Sequence, residues 1–132
     1  MNKADYGPKT VVALKAALNE SPDSAALLYN LGVSLVAERN YVEAQKAFEE
    51  ALAIEPEIAE AYVQLGGLAM HRGDLDTCLT MNRKAAEIRP RFAVPWGNIG
   101  FVYMQQQNPD KAVKALKKEI GRASCRERVY VL

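Results

Sequence analysis

One interval governs this chain of 132 residues. Gly32, Gly66 and Gly100 recur every 34 positions, and Pro22, Pro56 and Pro90 keep the same step. Leu31, Leu65 and Ile99 precede the glycines. Ala44, Cys78 and Ala112 form a second small-residue column, and Ala17, Ala51 and Ala85 a third. Columns in a single register mean copies of one unit. A unit this short cannot bury its apolar face alone, so successive copies must lean on one another.

Each period holds two stretches with helical spacing. "AALLYNLGVSLVAE" puts Leu28, Leu31 and Leu35 at i, i+3 and i+7, the pattern of one buried face. "YVEAQKAFEEALAI" does the same with Ala44, Ala47, Phe48, Ala51 and Leu52. The breakers "RN", "RGD" and "QNPD" separate the helices, with Asn40, Asp74 and Asn108 at N-cap positions. Pro109 then falls where a missing N–H leaves no ladder bond unmade. The prolines at 22, 56 and 90 stop each second helix, because proline cannot continue the hydrogen-bond ladder. The glycine and alanine columns imply helices crossing so closely that only a hydrogen or a methyl group fits. Phe48, Tyr62 and Trp96 fill the volume around those crossings.

With these residues in place, the chain resembles the tetratricopeptide repeat family. The matching residues are Leu28, Leu31, Gly32, Leu35, Ala44, Phe48, Ala51 and Pro56 in one repeat. The next has Tyr62, Leu65, Gly66, Ala69, Cys78, Ala85 and Pro90, and the third Trp96, Ile99, Gly100, Tyr103, Ala112 and Leu116. Leu14, Ala17 and Pro22 match an earlier second helix. Asn82 departs from the pattern, being polar where the family places an aromatic. The resemblance implies an all-α fold, a right-handed superhelical solenoid of antiparallel helix pairs. Its expected divisions are a partial leading repeat over 8–24, repeats over 25–58 and 59–92, and a truncated repeat over 93–119.

The same resemblance implies a groove lined by first helices, in which an extended peptide or partner helix lies. Column by column, the groove residues are the amides Asn30, Gln64 and Asn98, with Tyr29, Val33, Val63, Met70, His71, Phe101 and Met104 around them. A carboxamide both donates and accepts, so such a ladder can hold a peptide backbone without reading side chains. Chaperone-binding members of the family clamp a terminal carboxylate with basic residues. Here those sites hold Tyr29, Val33, Glu60, Val94 and Asn98, so the basic half of the clamp is missing.

Charge and motif content exclude other classes. Lys and Arg total 17 and Asp and Glu 16, a net +1 that argues against nucleic-acid or membrane-surface binding by bulk electrostatics. No apolar run is long enough to span a bilayer, and no secretory signal opens the chain, so a cytoplasmic setting is expected. Phosphate-binding loops, metal-ligand spacings and nucleophile elbows are missing, so neither an enzyme, a cofactor nor a metal is expected. His71, the single histidine, reads as an ordinary residue near a helix end, and Cys78 as a buried structural thiol. "KAVKALKK", Lys111 to Lys118, reads as a solvated helix face. The leading expectation is a scaffold with a protein or peptide partner. The alternatives are the recognition arm of a larger enzyme, such as a glycosyltransferase, and self-association through an uncovered terminal helix face.

The rhythm breaks at Glu119. Ile120 to Val129 match one reading frame of a widely used short-read sequencing adapter, whose preceding bases restrict the codon before it to a set that includes Glu. We expect residues 120–132 to be a non-native tail whose first ten residues are read-through and whose last three do not follow from the adapter, with natural repeats continuing in its place; the competing reading is a basic C-terminal cap. Without Arg122, Arg126, Arg128 and Glu127 the balance is 14 basic against 15 acidic residues, so the slight positive charge comes from this tail. Resequencing the source DNA across codon 119 is expected to restore the 34-residue register; a natural locus encoding "IGRASCRERV" would show the tail to be native.

Overall fold

The computed structural model describes residues 8–118, and among them are seven helices and no strand. They are α1 (Pro8–Glu20), α2 (Ala25–Ala37), α3 (Tyr41–Ile54), α4 (Ala59–His71), α5 (Leu75–Ile88) and α6 (Ala93–Gln105). α7 occupies residues 109–118, where the described residues end. The segment expected to be read-through, with Cys125, lies outside them. The all-α class read from the repeat is the one observed. The chain divides into two compact units, Met1–Gln64 and Leu65–Leu132, the division falling within α4.

In the first unit α2 packs against α1 and α3. Leu28, Leu31 and Leu35 of α2 are buried with Ala44, Ala47, Phe48 and Ala51 of α3. Gly32 is what lets this pair close. A Cβ there would lie 2.5 Å from Cε1 of the fully buried Phe48 ring. Ser24 caps α2, its hydroxyl oxygen accepting from Leu27 N at 3.2 Å, a role the repeat columns do not reveal. Ser34 is buried, and among the described residues its hydroxyl has no partner. Leu68 and Val102 hold its place one and two periods later.

In the second unit the same contact recurs with different partners. A Cβ on Gly66 would meet Nδ2 of Asn82 at 2.5 Å, and one on Gly100 would meet Cγ of Leu116 at 2.9 Å. Ala69, Cys78 and Val102 form one buried cluster, flanked by Met70, Leu75 and Leu79. Ile99, Tyr103, Ala112 and Ala115 form another, with Leu79 and Trp96 against it. Burial pushes the Cys78 thiol up from its ordinary pKa, so it stays protonated at neutral pH and acts as a small apolar filler.

The turns share one device. Arg39, Gly73 and Gln107 all have positive φ, at 63°, 81° and 57°. The next residue, Asn40, Asp74 or Asn108, donates its N–H back to Leu35, Ala69 or Tyr103, which closes the last turn of the preceding helix. Asp74 also caps α5: its carboxylate accepts from Thr77 N at 3.1 Å and from Thr77 Oγ1 at 2.6 Å. Those bonds hold its pKa below the ordinary value. The cap is therefore fully formed above the carboxylate range and is lost as pH falls through the lowered value. Asn108 accepts from Lys111 N at 3.5 Å. Asn40 stands at the start of α3 but makes no side-chain cap bond. Glu43 occupies the place of Thr77 there and brings no hydroxyl to a neutral amide.

Gly32→Ala is expected to lower unfolding stability by about 1–3 kcal/mol, since the buried Phe48 ring cannot yield freely. Gly67 has open space where its Cβ would stand. Gly67→Ala is therefore expected to raise stability by up to about 1 kcal/mol through helix propensity. Urea midpoints of the two variants check the opposite signs.

Candidate functional site

The amides expected to form one ladder differ in what holds them. Asn30, on α2, is exposed. Gln64, on α4, is half-buried. Asn98, on α6, is half-buried and donates from Nδ2 to Oδ1 of Asn82 at 3.0 Å. Asn82 is fully buried, and its own Nδ2 donates to Cys78 O at 2.8 Å and approaches Cys78 Sγ at 3.5 Å. A polar residue thus fills the place of Phe48 beside Gly66, with both ends of its carboxamide satisfied. Two bonds inside the protein make the burial tolerable. The sequence marked Asn82 only as a departure; its pairing with Asn98 arises where α5 and α6 come into contact.

The apolar candidates also separate. In the first unit Tyr29 is half-buried, its ring centroid 5.7 Å from that of Phe48 at 53°, and Val33 and Val63 are half-buried. In the second, Met70 packs on the Ala69–Cys78–Val102 cluster, while His71 is exposed as the last residue of α4. Phe101 and Met104 are 49% and 55% exposed. With them on α6 stands Val94, 48% exposed, which the sequence pointed to only as a place lacking a clamp residue. At about 100° per residue, Val94, Asn98, Phe101 and Met104 share about a third of the helix circumference. Pro95, Ile99, Val102 and Tyr103 are buried on the other side. The result is an apolar stripe with one anchored amide in it.

Trp96 is half-buried rather than enclosed. Its Nε1 donates to Pro90 O at 3.2 Å, and Lys118 Nζ lies 4.4 Å from its ring centroid. The Arg72–Asp74 segment is the turn between α4 and α5, with an ion pair of 3.8 Å between its ends. Among the described residues no group of His, Cys, Asp and Glu side chains could hold a metal ion. No helix among them is long and apolar enough to cross a membrane.

A family model for the tetratricopeptide repeat matches residues 25–58, and a second such model matches residues 93–123. The BBSome complex member bbs-4 of Caenorhabditis elegans is 26% identical over 108 residues, which are 82% of this chain and 23% of that protein. The BBS4 homolog of Drosophila melanogaster, also named a BBSome complex member, is 23% identical over 113 residues, 85% of this chain and 23% of that protein. The chain thus spans less than a quarter of the length of these relatives. A crystal structure of MamA matches with a TM-score of 0.85 at 26% identity, covering 89% of this chain and 69% of that one. The structure of MamA 41-end from Desulfovibrio magneticus RS-1 matches with 0.82 at 21% identity, covering 92% and 68%, a likeness of fold.

Asn98→Ala leaves the buried Asn82 oxygen without its donor and is expected to cost about 1–2 kcal/mol of stability. Asn30→Ala, exposed in the same column, is expected to change stability by less than about 0.5 kcal/mol. Chemical denaturation of the two variants separates an amide the fold uses from one it leaves to solvent.

Proposed function

We propose that this chain, which belongs to the tetratricopeptide repeat family, is a protein-interaction scaffold whose first helices receive a partner segment. The observation that carries the reading is the outward face of α6, where Val94, Phe101 and Met104 are each about half exposed around Asn98. Val94, Phe101 and Met104 form a continuous apolar face opposite the buried Ile99, Val102 and Tyr103, and an exposed apolar patch of this kind is a contact surface. Methionine and phenylalanine together make an adaptable apolar contact.

Tethering one N–H of Asn98 to Asn82 fixes the carboxamide and leaves its second N–H and its oxygen to meet a peptide backbone. The equivalent helix of the first unit carries Asn30 and Val33 at the matching positions. Likeness to two proteins named as members of the BBSome complex supports a partner that is itself a subunit of a protein assembly. The reading involves no catalytic step.

A photo-crosslinking amino acid placed at Phe101 is expected to capture a discrete protein partner in extract. The same group at Val42 on α3, 85% exposed, is the control and is expected to capture none. Excess wild-type chain should compete with the capture, and Phe101→Asp with Met104→Asp should not. Equal labelling from both positions, or competition by the double variant, overturns the docking face.

A further inference from the structure

The two units contain the same cleft, built from the same columns. In the first unit it is lined by Leu31, Leu35 and Ala47 with Glu43, Lys46 and Glu50. Two periods on, Ile99, Tyr103 and Ala115 with Lys111, Lys114 and Lys118 line the second, where Arg83 and Trp96 join them. The apolar floor is kept in kind; the charges are not. The first cleft mixes signs, and Lys15 of α1 bridges to Glu43 at 3.5 Å beside it. Two periods after Lys15 comes Arg83, and two periods after Glu43 comes Lys111, so the attractive pair is replaced by two cations. Among the described residues no acidic side chain lines the second cleft, whose volume is about 360 Å³.

The aromatics hold those cations in place. Arg83 donates a hydrogen bond to the Tyr103 hydroxyl. The Arg83 guanidinium and Lys111 Nζ lie 5.9 and 5.6 Å from the Tyr103 ring centroid, and Lys118 Nζ lies 4.4 Å from that of Trp96. Like charges on neighbouring helices repel. Attraction to a ring quadrupole offsets part of that cost, and an anion between them would remove the rest.

From this geometry we infer that the cleft between α5, α6 and α7 binds an acidic segment of a protein partner, its carboxylates received by Arg83, Lys111 and Lys114. Lys111 to Lys118 span roughly 10 Å along α7, the reach of about three extended residues. A stacking site for nucleobases is the weaker reading, because Tyr103 is only 8% exposed and Lys118 stands over the Trp96 ring. This contact is distinct from the Val94–Met104 face, since Trp96, Ile99 and Tyr103 point to the other side of α6.

Trp96 is the only tryptophan in the chain and reports directly on the cleft. The full chain is titrated with a capped tetraglutamate peptide, the tetraglutamine counterpart, inorganic phosphate and a short oligothymidylate, following Trp96 emission. Expected is a saturable change with tetraglutamate alone, weakened about tenfold by Lys111→Glu with Lys114→Glu and kept by the paired Lys→Arg variant. Circular dichroism confirms that both variants are folded, and both substitutions are at exposed positions. Phe101→Asp with Met104→Asp should leave the titration unchanged, so this site and the docking face fail separately. The inference is overturned by no response to tetraglutamate, by an equal response to tetraglutamine or phosphate, by tighter binding of the oligothymidylate, or by full affinity in the Lys→Glu pair.

Discussion

At Gly32, Gly66 and Gly100 a helix presents a hydrogen atom where any other residue would drive a methyl group into the side chain facing it, at 2.5 to 2.9 Å. That missing carbon lets Phe48, Asn82 and Leu116 press against the backbone of the first helix. The remaining small columns follow from the same closeness. Ala44, Cys78 and Ala112 are each buried to within 1% of full enclosure, with no room for a larger side chain. Interiors packed at this density tolerate change mainly where volume is conserved. Asn82 shows how far that tolerance reaches. A polar group takes an aromatic position because Cys78 O and Asn98 together satisfy it.

A constraint this strict on inward positions leaves the outward ones free, and there the copies diverge. Glu43, Lys46 and Glu50 become Lys111, Lys114 and Lys118 two periods later, around a floor that keeps its character. The turns diverge as well. Positive φ is required in all three, but only Gly73 is a glycine. Arg39 and Gln107 accept the strained region because the backbone bonds from Asn40 and Asn108 close the preceding helices. A recurring backbone device is thus written in different residues, invisible to a search for glycine alone.

The candidate contact surfaces arise from the same division. α6 is buried through Ile99, Val102 and Tyr103, and its two remaining flanks carry different chemistry. One holds Val94, Phe101 and Met104 around an anchored amide; the other gives Trp96 and Tyr103 to a cationic cleft. Apolar docking and charge pairing respond oppositely to salt, so the two contacts are separable in solution.

Column spacing was enough to read seven helices, their breaks and their proline stops, because helix period, turn chemistry and steric closeness act through residues near in sequence. It also singled out Asn82, Trp96 and the lysines of "KAVKALKK", which are exposed as the solvated-face reading expects, but it did not join those lysines to Arg83 and it treated Asn30 and Asn98 as equals. Those distinctions depend on residues brought together across helices. Asn98 is tied down because Asn82, sixteen positions earlier, lies beside it, and three lysines become a cleft because Arg83 faces them from α5. Identity along a column is local information. Partnership is decided only when separate helices come into contact.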